Sequence, residues 1–144
     1  MAKGARYRLA YRRRRENKTD YQARRILATS NSPRFVVRVS NKSIIAQVIT
    51  SKIIGDIVLS EATSKELTEK YGWKANGKSI QAAYLLGLIA GYKAVEKNIL
   101  DVNLDIGLKR PTVGSKVFAV VKGALDSGLN IPCDSDIIPN PERI

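Results

Sequence analysis

The sequence predicts a mixed α/β domain (α/β with α+β character) carrying a basic arm at its N-terminus. Three observations carry that expectation. Apolar residues alternate with period two in several short segments after Pro33, a long segment around Leu86 is apolar nearly all round, and positive charge is crowded into the first quarter of the chain. With 144 residues the chain suits one domain able to bury a core, plus a short appendage.

The arm comes first. Residues 1–38 hold twelve of the 25 Lys and Arg against two acids, Glu16 and Asp20, a net +10. Residues 39–144 hold 13 basic and 11 acidic residues, a net +2, so a nearly neutral body carries a cationic arm. Such a surplus speaks of partners: phosphate-rich nucleic acid, or less often an anionic membrane. Arg12 to Arg15 run consecutively, and Tyr7, Tyr11 and Tyr21 are interleaved with the arginines. The planar guanidinium suits phosphate and bases, and tyrosine rings stack on unpaired bases. Four arginines alone would also fit a localisation signal or a solvated face. The length of the block, its tyrosines and the neutral body behind it favour direct nucleic-acid contact. Because +10 on this short stretch repels itself, the free arm is expected to be largely disordered.

Asn31-Ser32-Pro33 separates arm from body. From there Phe35, Val37 and Val39 share one face, with Arg34, Val36, Arg38 and Ser40 on the other: a half-buried strand with a basic outer face. Ser40 to Ser43 reads as a turn and Ile44 to Thr50 as a second strand. Gly55-Asp56 interrupts the apolar run Ile53–Leu59, which reads as a third strand after another tight connection, completing an antiparallel meander. Ser60 to Tyr71 reads as a short amphipathic helix, and Ser79 as the N-cap of the longest helix, Ile80 to about Lys97. Gly87 and Gly91 on that helix would permit close approach to a sheet. Val102, Leu104 and Ile106 alternate with Asn103 and Asp105 as a fourth strand. After a loop from Gly107 to Gly114, Ser115 caps a last helix to about Ser127, with Gly128 at its C′ position. A strand, helix, strand succession implies a right-handed crossover helix and a parallel fourth strand in a mixed sheet. The expected divisions are an arm over 1–32, an α/β domain over 33–132 and an irregular tail over 133–144.

The chemistry that composition permits is narrow. There is no histidine and one cysteine, Cys133. That excludes a His- or Cys-cluster zinc site, a histidine-based triad and an intrachain disulfide, and fits a reducing compartment. No apolar run reaches the roughly 18 residues of a spanning helix, and arginines interrupt anything like a signal peptide, so no membrane partner is expected. The element order is that of ribonuclease H-like folds, so a two-metal site from Asp101 and Asp105 with Asp56 or Asp126 has to be weighed. Asp101 reads as part of a turn and Asp126 as the end of a helix, so no catalytic residue and no metal site are expected. Gly107 to Lys116 lacks P-loop spacing and carries Ser-Lys in reversed order; no cofactor and no small-molecule substrate are expected. Its cations Lys109, Arg110 and Lys116 remain candidate phosphate contacts before a helix N-terminus.

Arg12-Arg13-Arg14-Arg15-Glu16-Asn17-Lys18-Thr19-Asp20-Tyr21, followed by Ala23-Arg24-Arg25, resembles the RRRREGKTDY signature of a large-subunit ribosomal family. This is the archaeal and eukaryotic-type protein that binds 5S rRNA, the universal L-eighteen family, L-five type in eukaryotes. Arg34 to Lys42, Ala82 to Gly87, Leu104 to Leu108, Gly114 to Phe118 and Lys122 to Pro132 resemble further family segments in the same order. The resemblance favours the archaeal branch over the bacterial one, whose members differ over Ile106 to Ser115. It implies a ribonuclease H-like translation-machinery fold without catalytic activity, placed in the cytoplasmic large ribosomal subunit. The implied partners are 5S rRNA, 23S rRNA and neighbouring ribosomal proteins of the central protuberance. The RNA-contacting residues then expected are Lys3, Arg6, Arg8, Arg12, Arg13, Arg14, Arg15, Lys18, Tyr21, Arg24 and Arg25 in the arm. Arg38, Asn41 and Lys42 on the first strand and its turn join them, with Lys109, Arg110 and Lys116 as secondary contacts. Family members continue past the position of Ile144 into a helical extension, so contacts made by that extension are not carried over.

Overall fold

Period-two alternation becomes a four-stranded mixed sheet in the computed structural model, which describes residues 4–144. Lys3, among the expected RNA contacts, lies outside the described residues. β1 (Arg34–Val39), β2 (Ile44–Lys52) and β3 (Gly55–Thr63) form the antiparallel meander, and β4 (Asn103–Asp105) runs parallel to β1 in the order β3-β2-β1-β4. A parallel bridge from Asp101 to Asn130 extends the sheet beyond β4, with the Val102 N–H on the Asn130 carbonyl at 3.1 Å. The expected fold class is met, and the crossover from β3 to β4 carries the longest helix.

Phe35 and Val37 of β1 and Ile44, Ala46 and Val48 of β2 point to one side of the sheet and are fully buried. α4 (Ile80–Val95) and α5 (Lys116–Asp126) cover that side with Ala82, Leu86, Ala90, Val120 and Val121. The Ser79 hydroxyl caps α4, accepting from the Ala82 N–H at 3.1 Å, and Gly128 follows α5 at φ +102°. The glycines of α4 meet α5, not the sheet. A Cβ on Gly87 would sit 2.0 Å from the Val120 carbonyl oxygen, and one on Gly123 would sit 2.1 Å from that of Tyr84. α4 is apolar nearly all round because it has two neighbours: larger side chains face the sheet, while glycines let two helix backbones nearly touch.

Two boundaries differ from expectation. β3 runs through Ser60 to Thr63, and α3 (Ser64–Tyr71) begins only there, since Thr63 and Glu66 form a capping box with the Thr63 N–H 3.2 Å from Glu66 Oε1. The β2–β3 turn is Ile53-Ile54 and not Gly55-Asp56: Lys52 faces Gly55, whose φ of +148° absorbs the reversal. Both isoleucines are fully exposed. β3 is an edge strand, and Lys93 and Lys97 donate to its Glu61 and Leu59 carbonyls, blunting that edge. The tail carries two 3-10 turns, Ser135–Ile137 and Pro141–Arg143.

The arm departs most from expectation. Residues 12–15 form a single helical turn, α1 (Arg12–Arg15), and α2 (Tyr21–Thr29) is a two-turn helix in place of the expected disorder. Asp20 caps α2, its Oδ1 accepting from the N–H groups of Gln22 and Ala23 at 2.9 and 3.2 Å. One favourable cap and the Arg24–Asp56 ion pair to β3 offset the self-repulsion of the arginines. α2 lies over the outer sheet face, where Asn103 Nδ2 donates to Ser30 Oγ at 3.3 Å. The outer face of β1 is therefore covered over its first half, with Arg34 3% and Val36 5% exposed, and stays open only at Arg38.

Replacing Gly87 with Ala forces the α4 and α5 backbones apart and is expected to destabilise the domain by about 1–3 kcal/mol. A lower urea midpoint at unchanged m-value is the expected readout; a variant as stable as the parent shows the two helices have room.

Candidate nucleic-acid interface

Alternation along β1 aims Arg34 and Arg38 at the same side, and β4 aims Asp105 at that side too. The result is an ion-pair chain. Arg34 Nη1 donates to Asp105 Oδ2 at 3.1 Å and Nη2 to Asp56 Oδ2 at 2.9 Å. Arg24 Nη2 of α2 donates to the same Asp56 oxygen at 2.9 Å. Arg38 Nη2 donates to Asp105 Oδ1 at 2.8 Å, and its Nη1 to the carbonyls of Asp105 and Val37 at 2.8 and 3.0 Å. The Gly107 N–H completes the Asp105 shell, 2.9 Å from Oδ1. One network, buried at Arg34 and Asp105 and exposed at its ends, thus joins α2, β3, β1, β4 and the loop after β4. Burial alone would raise the Asp56 carboxyl, but the hydrogen bonds and charges of Arg24 and Arg34 outweigh it and hold Asp56 below the ordinary carboxylate range.

The carboxylates weighed for metal chemistry are each engaged elsewhere. Asp101 accepts from Asn130 Nδ2 at 2.8 Å, and Asp126 accepts from the Tyr84 hydroxyl at 3.0 Å and Lys122 at 2.7 Å. Among the described residues no group of three or more His, Cys, Asp or Glu could hold a metal ion.

Between α2 and the C-terminal ends of β1 and β4 lies a cleft of about 600 Å³. Arg13, Lys18, Arg24 and Lys109 stand around it, Arg38 lies within it, and Leu27, Leu104 and Leu108 supply apolar wall. Arg13 Nε is held by Thr19 Oγ1 at 2.7 Å, and Lys18 pairs with Glu16 at 2.9 Å. Five of the expected contacts, from residues 13 to 109, are thereby gathered at one concavity. A second hollow of about 340 Å³ gathers three more, Arg14, Tyr21 and Arg25. Tyr21 packs on Tyr11 with ring centroids 5.3 Å apart.

The remaining expected contacts line neither hollow. Arg6, Arg8, Arg12 and Arg15 are exposed along the arm, Arg12 lying 4.0 Å from Glu16. Asn41 and Lys42 are exposed in the β1–β2 turn, where Lys78 Nζ reaches the Asn41 carbonyl at 3.4 Å. Arg110 is exposed in its loop, and Lys116 opens α5 half-buried. Sequence reasoning missed Asp56 and Asp105 as the groups that orient Arg24, Arg34 and Arg38, and missed the leucine wall. The strand spacing placing Asp105 opposite β1 was the available signal for the first.

Residues 5–103 and 92–134 match the family profile described as ribosomal large subunit proteins 60S L5 and 50S L18. Over all 144 residues the chain is 49% identical to the large ribosomal subunit protein uL18 of Caldivirga maquilingensis, spanning 70% of that protein. It is 47% identical to the uL18 proteins of Aeropyrum pernix and Thermofilum pendens, again across the whole chain, spanning 67% and 73% of them.

Two consequences follow from the ion-pair chain. Arg34→Ala should cost about 3 kcal/mol, the low end for breaking a buried pair, because Asp105 keeps Arg38 and Asp56 keeps Arg24. Chemical denaturation measures it, and a loss under about 1 kcal/mol contradicts a structural role. The folded Asp56 pKa lies below its ordinary value of 3.8. Its stabilisation is therefore complete above about pH 4 and drains away as pH falls through the lower folded value. Asp56→Asn should flatten that acid limb of the urea midpoint; parallel pH profiles for the two proteins would refute the pairing.

Proposed function

The chain belongs to the family of ribosomal large subunit proteins 60S L5 and 50S L18, and from that membership we propose that it binds 5S rRNA and helps attach it to 23S rRNA in the central protuberance. It is a structural constituent of the large ribosomal subunit, with ribosomal RNA and other ribosomal proteins as its partners, and not an enzyme.

The observation that carries the RNA-binding surface is the cleft. Cations from the arm, α2, the end of β1 and the loop after β4 converge there although they are far apart in sequence. Neutral packing behind them holds the spacing, and the cations neutralise phosphates of a folded RNA and release its counterions. Tyr21 and the flat guanidinium groups add faces on which unpaired bases stack, the usual way RNA is read where its bases are free. The contacts we assign are the arm cations from Lys3 to Lys18 with Tyr21, Arg24 and Arg25, and then Arg38, Asn41 and Lys42. Lys109, Arg110 and Lys116 extend the surface past β4. Residues 1–32 act as the RNA-binding arm, 33–132 as the body and 133–144 as a tail. Within the arm, α2 is docked on the sheet, so the readily detachable part ends near Lys18.

Filter binding to a 5S rRNA transcript, with duplex DNA as competitor, tests the reading. Log affinity should fall linearly with log salt, by about 0.7–0.9 for each phosphate contacted, and DNA should compete poorly. Removing residues 1–18 should cut affinity at least about ten-fold and lower the slope while far-UV circular dichroism of the body persists. Affinity that is flat with salt, or that survives the deletion, would exclude this surface.

A further inference from the structure

Arg38 is a cation at the cleft whose shape, more than its charge, is on offer. Asp105, shared with Arg34, offsets part of its charge, and three hydrogen bonds of 2.8–3.0 Å to Asp105 and Val37 occupy much of its donor edge. Gly107 closes one side of the guanidinium plane. A Cβ there would lie 3.1–3.3 Å from Arg38 Cζ and both Nη atoms, and φ is +63° at that glycine. Yet 45% of the Arg38 side chain remains exposed, and it lines the cleft. A guanidinium fixed at its edge and backed on one side presents its other face, and that face stacks on a planar ring.

What surrounds this plate narrows the ligand. Leu27, Leu104 and Leu108 provide apolar wall, with Leu108 56% exposed. Arg13 and Lys109, at the same cleft, have no carboxylate within ion-pair distance among the described residues, so both keep full charge for an anion. A duplex backbone needs only cations on an open surface and would leave this wall and plate unused. A flat apolar-faced group joined to phosphate uses all three. We propose that the cleft takes a single unstacked nucleotide of the bound RNA, its base on the open face of Arg38 against the leucine wall and its flanking phosphates on Arg13 and Lys109. The inference rests on the reading of this surface as an RNA interface and names what that surface selects: an unpaired, splayed-out nucleotide.

The test uses the full chain and a 5S rRNA transcript carrying single abasic substitutions at its unpaired positions, together with a fully paired RNA duplex. Arg38→Lys keeps the charge and discards the plate; Leu108→Ser thins the wall at an exposed position where folding is not at stake. Each variant should bind the intact transcript about ten-fold more weakly than the parent with the same salt slope, the size of one lost base stack. Base removal at one unpaired position should cost the parent a similar factor and cost Arg38→Lys almost nothing. The paired duplex should bind parent and variants alike. If both variants match the parent on the intact transcript, or no abasic position matters to the parent, the nucleotide site is overturned while salt-dependent 5S binding stands. Failure of the parent to bind the transcript at all overturns the RNA reading beneath it.

Discussion

Arg34 is the side chain on which the arrangement of the other parts depends. A guanidinium moved from water into the interior costs several kcal/mol, which only close counter-charges can offset. Arg34, 3% exposed, has two, Asp56 from β3 and Asp105 from β4, the latter 71 residues away in sequence. Its Nε is buried without a partner, so even this pairing leaves one donor unmet. The pair geometry sets the position of both carboxylates, and each carboxylate then holds a further arginine: Asp56 holds Arg24 on α2, and Asp105 holds Arg38 beside the cleft. α2 is docked, and the cleft has a wall, because of that chain. A buried salt bridge is weak ground for claiming stability, since apolar replacements of like volume often do as well. Its contribution here is placement: an apolar substitute at residue 34 would leave Asp56 and Asp105 to Arg24 and Arg38 alone, with no side chain tying the two carboxylates together.

Much of the body was legible in the sequence because local rules and tertiary context agree there. Phe35, Val37, Ile44, Ala46 and Val48 alternate as buried strands do, and Ser79 and Gly128 stand where helix ends need them. The misreadings have physical causes. Ser60 to Thr63 carries residues a helix tolerates, but pairing with β2 and the Thr63–Glu66 cap decide in favour of strand. Gly55-Asp56 resembles a turn, yet the reversal falls on Ile53-Ile54, two β-branched residues that no turn propensity favours. Gly87 and Gly123 say only that something comes close; that it is a second helix backbone depends on the packing of distant segments.

The interface was legible as a charge imbalance and illegible as a shape. Counting arginines locates the arm, since net charge is additive along a sequence. It cannot separate Arg34, which is buried in ion pairs, from Arg13, which has no ion pair among the described residues and donates to a threonine hydroxyl. Nor can it foresee that α2 folds back on the sheet, because the acid that draws Arg24 there, Asp56, is 32 residues further along. Periodicity marked the outer face of β1 as basic for the same reason: it records which side a residue faces, not what else comes to cover that side.

Cations at this surface therefore divide by how much charge their neighbours leave them, and the division bears on specificity. Arg13 and Lys109 can give full charge to phosphate, which adds affinity for any RNA and makes it salt-sensitive. Arg24 and Arg38 share Asp56 and Asp105 with Arg34, and releasing either would cost that carboxylate one of its two guanidinium partners. Whatever they contribute must come through fixed position, by stacking and by excluding poorly fitting shapes, terms that salt screens little. A surface of free cations alone would hold any polyanion. Compensated arginines held rigid among them make the same surface discriminate, and the rigidity traces back through Asp105 and Asp56 to Arg34.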